Sequence, residues 1–193
     1  MLKKEEMEKI VSLVSNCKKC DLYKTRRNPV IGMGSLDSKI LFIGEAPGYN
    51  EDIQGFPFVG RSGKILDDLL KSIGLTRENV YIANIIKCRP PNNRNPLKNE
   101  IVSCTDYLDK QIEIIHPIII APLGNFAVKY ISEKFGLKTD KISNIHGKIF
   151  DVKTVFNALK ILPLYHPAAA VYNPNNMDIL LEDFKKIKLI IQK

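Results

Sequence analysis

One stretch constrains this chain more than any other: Ile40 to Gly63, ILFIGEAPGYNEDIQGFPFVGRSG. It opens with four consecutive apolar residues, Ile40-Leu41-Phe42-Ile43, the pattern of a strand buried on both faces. The run stops at Gly44-Glu45-Ala46-Pro47-Gly48. Two glycines and a proline so close together dictate a tight loop and let backbone N–H groups approach a ligand. The acidic Glu51 and Asp52 follow, and Pro57-Phe58-Val59-Gly60 then presents an aromatic ring between a proline and a glycine. Ser62 is placed to cap a helix whose apolar face is Leu66, Leu69, Leu70 and Ile73. Strand, loop, aromatic and helix in that order suit an α/β sheet, whose ligands bind at the carboxyl ends of its strands. An ordinary connection with an incidental phenylalanine fits the same stretch.

The rest of the chain repeats this alternation. Helices are predicted over about 3–15, 62–73, 98–115, 125–134 and 177–191. Strands are predicted over about 39–43, 80–86, 118–123 and 160–165. The segment Lys87 to Pro96 is too rich in proline to be either. The expected fold is therefore α/β and three-layered, with a four-stranded parallel sheet flanked by helices, as one domain over residues 1–193. A length of 193 residues and a hydrophobic content of 45% suit one sizeable core. The net charge of +8 favours an anionic partner such as nucleic acid. The N-terminal MLKKEEMEKIVSLVSN lacks the continuous apolar core of a secretory signal, and no apolar run is long enough to span a bilayer. A soluble, cytoplasmic, nucleoid-associated monomer is expected, with no membrane partner. Richness in lysine and isoleucine fits a thermophile.

The four cysteines form a candidate metal set. Cys17 and Cys20 make a C-x2-C pair, Cys88 follows the second strand, and Cys104 lies on the next helix. Two such thiolates on one turn and two more from elsewhere complete a four-sulfur site. Zinc and a 4Fe–4S cluster use the same four thiolates, and buried free thiols or disulfides use them too. Lys18, Lys19, Arg26, Arg27, Arg89 and Arg94 flank the set, as a phosphate-binding surface or as a solvated basic edge.

Polar groups also fall at predicted strand ends: Glu45, Asn84 and His166. An asparagine amide can read a nucleobase edge with one donor and one acceptor. A histidine can donate to an oxygen that becomes anionic, and Phe58 can stack on a base. Each also has a purely structural role open to it.

Together, Gly44-Glu45-Ala46-Pro47-Gly48, Pro57-Phe58-Val59-Gly60, Asn84, His166-Pro167-Ala168-Ala169 and the four cysteines resemble the family 4 uracil-DNA glycosylases. The likeness runs from about Cys17 to Asn173. It implies removal of uracil from DNA by base flipping, and a largely structural 4Fe–4S cluster on Cys17, Cys20, Cys88 and Cys104. It implies that Phe58 stacks on the uracil and that Asn84 pairs with its N3–H and O4. Backbone groups from Glu45 through Ala46 and Pro47 to Gly48 would contact the ring edge, and His166 would donate to O2. Ala46 stands, as family 4 allows, where family 1 enzymes carry a water-positioning aspartate; Glu45 is the first candidate for that task, with Glu51 or Asp52 in reserve. Two features depart from the pattern common in family 4. Ala170-Val171-Tyr172 replaces the usual leucines and arginine after the histidine, which leaves Tyr172 or Val171 as the wedge. Tyr49-Asn50 replaces more acidic residues.

Two other classes compete: a non-catalytic zinc-clamped nucleic-acid-binding module and a cluster-bearing electron-transfer protein. A glycosylase for another deaminated or mismatched base is a closer rival. No clamp-binding peptide is legible at the C-terminus, and a sliding-clamp partner stays open.

Overall fold

The computed structural model of the chain describes residues 2–154 and 158–192. Their strands form one mixed sheet: β1 (Met33–Gly34), β2 (Ile40–Gly44), β3 (Tyr81–Asn84), β4 (Ile119–Pro122), β5 (Phe150–Lys153) and β6 (Ala158–Ile161). The spatial order is β1-β3-β2-β4-β6-β5. The four inner strands run parallel, as the alternation predicts. The two edge strands pair antiparallel and are additions to the predicted sheet. β1 is two residues long, too short for any periodicity, and β5 alternates between half-buried and exposed positions instead of forming an apolar run.

The helices are α1 (Lys3–Ser15), α2 (Tyr49–Gln54), α3 (Arg61–Ser72), α4 (Lys98–Ile115), α5 (Gly124–Lys134), α6 (Ile142–Ile145), α7 (Ala168–Tyr172) and α8 (Asn176–Ile191). They lie on both faces of the sheet, because successive strand residues point to opposite sides. In β2, Leu41 and Ile43 join Met7, Ile10, Val14 and Leu108 on the face covered by α1, α4 and α5. Ile40 and Phe42 join Leu66, Leu69, Leu180 and Phe184 on the face covered by α3 and α8. β3 divides in the same way, with Tyr81 and Ala83 on one side and Ile82, joined by the preceding Val80, on the other. A strand with both faces buried must be apolar throughout, which is why the sequence signal at 40–43 is continuous.

Three predicted strands are longer than the observed ones; β4 is shorter by one residue at each end. β3 ends at Asn84, after which the Ile85 and Ile86 N–H groups donate to the Gly44 and Glu45 carbonyls at 2.9 and 3.2 Å. β6 ends at Ile161, and Pro163 lacks the N–H a ladder needs; a single bridge joins Leu164 to Leu123. Among the described residues no helix is long and apolar enough to cross a membrane.

Candidate active site

The register of the sheet aligns the ends of its strands. Gly44, the last residue of β2, sits opposite Asn84, the last of β3, and the chain after β6 brings His166 to the same side. A cavity of about 160 Å³ opens there, lined by Ala46, Gly48, Glu51, Phe58, Ser62, Asn84 and His166. It is smaller than a cavity of about 470 Å³ near Ile112, Pro117 and Phe135, but that one holds none of the strand-end polar groups. Five sequence-predicted residues therefore meet: Ala46, Gly48, Phe58, Asn84 and His166. The side chains of Glu45 and Pro47 belong to the same loop but do not line the cavity. Glu51, a reserve candidate, does. Ser62 lines it as well, and this corrects its predicted role, because Gly60 occupies the N-cap of α3.

Phe58 is 5% exposed and adopts a left-handed backbone conformation, with φ 54. That region is unfavourable for a bulky residue and persists only where the surroundings enforce it. Three features enforce it here. Arg77 donates to the Phe58 and Pro57 carbonyls, and is itself held by Asp67 at 2.6 Å. Gly63 leaves room for the Phe58 carbonyl, since a Cβ there would lie 1.7 Å from that oxygen. Glu51 accepts from the N–H groups of Val59 and Gly60 at 2.9 and 3.0 Å, and from Gly48 at 3.1 Å. One carboxylate thus ties the GEAPG loop to the phenylalanine loop. Under the ring, Gly44 is indispensable: a Cβ there would meet Asn84 Oδ1 at 2.3 Å and Phe58 Cζ at 2.8 Å.

The rings of Phe58 and His166 stack with centroids 5.4 Å apart and planes 24° from parallel. The backbone N–H of Ala168 donates to His166 Nδ1 at 3.1 Å. An acceptor at Nδ1 places the imidazole proton on Nε2, so the ring offers one donor. Burial drives its pKa down to about 4, slightly opposed by Glu51, and the ring is neutral at ordinary pH. Asn84 is 2% exposed, and its amide makes no hydrogen bond to any described residue. A buried amide normally finds a partner in the fold, so this one is available to a ligand. Glu45 is half-buried, and desolvation raises its carboxyl. It too makes no side-chain hydrogen bond among the described residues. Asp52, by contrast, accepts from the Arg27 N–H and is buried.

Lys87 was absent from the predicted site residues, yet it is fully buried beside the site. Its ammonium donates to the Asn84 carbonyl at 2.9 Å and to Gln111 Oε1 at 2.6 Å. It therefore ties the end of β3 to α4. Nothing in the sequence distinguishes it from the exposed lysines.

Cys17 and Cys20 are half-buried, Cys88 and Cys104 are buried, and all four are free thiols in contact with one core layer. Among the described residues no three metal-ligating side chains are arranged to hold a single ion. The thiols nevertheless sense one another. Burial raises Cys88, with Cys20 and Cys17 adding to the rise, and burial takes Cys104 to about 12, with contributions from Cys88 and Cys20. Arg26 donates to Cys88 Sγ at 3.1 Å and the Lys87 N–H to Cys104 Sγ at 3.3 Å. Of the flanking basic residues, Arg26 is thus committed inward, Arg94 is bonded bidentately to Glu100, and Lys19 faces Asp106.

Comparison with known proteins gives a consistent answer. The family model described as the uracil DNA glycosylase superfamily matches residues 31–188. A type-4 uracil-DNA glycosylase of Archaeoglobus fulgidus is 47% identical over 183 residues, which is 95% of this chain and 92% of that protein. One of Sulfurisphaera tokodaii is 50% identical over 185 residues, covering 95% and 84%. One of Thermotoga maritima is 42% identical over 196 residues, covering 100% and 99%.

Proposed function

This chain belongs to the type-4 uracil-DNA glycosylases of the uracil DNA glycosylase superfamily, and we propose that it removes uracil from DNA, hydrolysing the N-glycosidic bond and leaving an abasic site. One observation carries the reading. An unpartnered asparagine amide, an aromatic ring and a neutral histidine converge on one cavity at the strand ends. Neither a non-catalytic binding module nor an electron-transfer protein gives those three groups a task.

A base within a duplex is out of reach, so the nucleotide is flipped into the cavity. Phe58 offers the face on which the base stacks. The Asn84 amide supplies an acceptor for uracil N3–H and a donor for O4; cytosine presents that pattern reversed and pairs only with the amide turned over. Breaking the glycosidic bond builds positive charge on the sugar and negative charge on the departing base. His166 meets that negative charge at O2 with Nε2–H. A preorganised donor of this kind is worth roughly 3 kcal/mol. Glu45 holds the attacking water in this reading, from the loop beside the cavity and not from its lining, because Glu51 and Asp52 are committed to backbone N–H groups while its carboxylate is not.

In this reading the four cysteines hold a 4Fe–4S cluster, with zinc the alternative on the same four thiolates. The N–H groups of Arg26 and Lys87 aimed at sulfur support an anionic set of thiolates, as does the buried Lys87 ammonium, which has no carboxylate partner among the described residues. When bound, the cluster supplies a structural tie and takes no part in hydrolysis.

The test is incubation with DNA carrying one uracil, followed by alkali and a gel. Strand breaks at uracil, and none in cytosine or thymine controls, are expected. An uncut uracil strand would overturn the assignment.

A further inference from the structure

The chain has six arginines, and they divide cleanly. Arg26, Arg77 and Arg94 are committed inside the fold, to Cys88, Asp67 and Glu100. Arg27, Arg61 and Arg89 pair with no carboxylate among the described residues. Those three gather at one place. A groove of about 260 Å³ runs between Tyr49, Arg61 and Tyr172 and shares Gly48, Glu51 and Ser62 with the base cavity. It is therefore the cavity's outer lip. The guanidiniums of Arg27 and Arg89 both lie over the Tyr49 ring, 6.0 and 5.0 Å from its centroid.

Two like charges drawn to one exposed ring repel each other. Neighbouring contacts hold both residues in place. The Arg27 N–H is fixed on buried Asp52, and Arg89 Nε is aimed by Asn93, which itself adopts a left-handed conformation with φ 54. Cation–π attraction to Tyr49 offsets part of the repulsion, and a bound anion offsets more of it. Tyr49 and Tyr172 are 51% and 84% exposed at the same lip. An aromatic ring that sets cations beside a base cavity suits a nucleic-acid strand.

We propose that Tyr49, with Arg27, Arg89 and Arg61, forms a phosphodiester seat for the DNA strand next to the flipped uridine, with Tyr49 as the positioning residue that holds the two guanidiniums in place. The identity of the ligand rests on the glycosylase reading; the seat itself is tested without catalysis. It also gives a physical account of Tyr49, which departs from the family's acidic pattern.

The experiment measures binding to uracil-free DNA over a range of salt. The double variant R27Q/R89Q is expected to flatten the slope of log Kobs against log salt by roughly 1 to 2. Y49A is expected to weaken binding at least threefold, and Y49F, which keeps the ring, to restore it. K71Q, at the far end of α3 and so roughly 15 Å from Arg61, is expected to leave the slope unchanged. Thermal melts of each variant establish that it is folded. An unchanged slope in R27Q/R89Q, or Y49A binding like the parent, would overturn the seat while the parent's uracil release, measured separately, left the glycosylase reading standing. A flattened slope in a chain that released no uracil would support the seat and overturn that reading.

Discussion

His166 is defined by a single backbone contact. Because the Ala168 N–H occupies Nδ1, a second proton there would lose that bond as well as charge a buried ring. The pKa of about 4 follows from burial, and its sign can be worked out. An unfolded histidine titrates near 6.5, so between pH 6.5 and 4 the unfolded chain binds the extra proton. The stability contributed by neutral His166 is full above pH 6.5 and declines as pH falls toward 4. The donor to O2 survives through the same range. Single-turnover uracil release is therefore expected to show no inflection near pH 6.5, and NMR of the ring to show a midpoint near 4. A midpoint near 6.5 would remove the neutral-donor assignment. His166→Ala should slow release at least roughly tenfold without unfolding the chain. Asn84 admits a sharper test. Asn84→Asp, when protonated, presents a donor to cytosine N3 and an acceptor to N4–H. Cytosine release by that variant is expected in the abasic-site assay; none at any pH would count against direct reading of the base edge.

The element that matters most is the loop from Gly55 to Gly60 with the helix behind it. Its strained residue is enforced by Arg77, which reaches from beyond α3 to carbonyls within the loop. Arg77→Gln removes charged donors from two carbonyls and from Asp67. It is expected to lower stability by about 1–3 kcal/mol, read as a fall in the denaturation midpoint, and to slow uracil release as Phe58 relaxes out of its left-handed conformation. A melting point and rate equal to the parent's would show that the loop holds itself.

Which parts of this were legible follows from range. The continuous apolar run at 40–43 announced a doubly buried strand, and the residues that stop it announced the site. Asn84 and His166 could be placed because a parallel sheet brings its carboxyl ends together. The short α2 was hidden, since six residues show no period, and so were the two edge strands. Glu51 looked like a reserve base because its three N–H partners come from two segments of the loop. Arg77, Lys87 and Tyr49 act through partners distant in sequence, such as Asp67, Gln111 and Arg89, that no local pattern records.

At the scale of the whole molecule, the cysteines and the lip of the cavity form one mechanical unit. Cys88 is followed directly by Arg89, and Arg26, which donates to Cys88, is followed directly by Arg27. A group bound by Cys17, Cys20, Cys88 and Cys104 would also set the two guanidiniums that lie over Tyr49. The base-reading groups have supports of their own in Gly44, Arg77 and the backbone of Ala168, and Lys87, which bonds both Cys104 and the Asn84 carbonyl, is their link to the cysteines. Loss of the cysteine site should therefore weaken DNA binding more than it slows the chemistry of bound DNA. For protein purified without oxygen, equal iron and sulfide with broad visible absorption are expected; zinc in their place would overturn the cluster. Cys88→Ala should lose the metal, melt at a lower temperature, and raise KM for uracil-containing DNA by a larger factor than it lowers the saturating rate. Equal losses in both would mean that the cysteines support the catalytic floor itself and not only its positively charged rim.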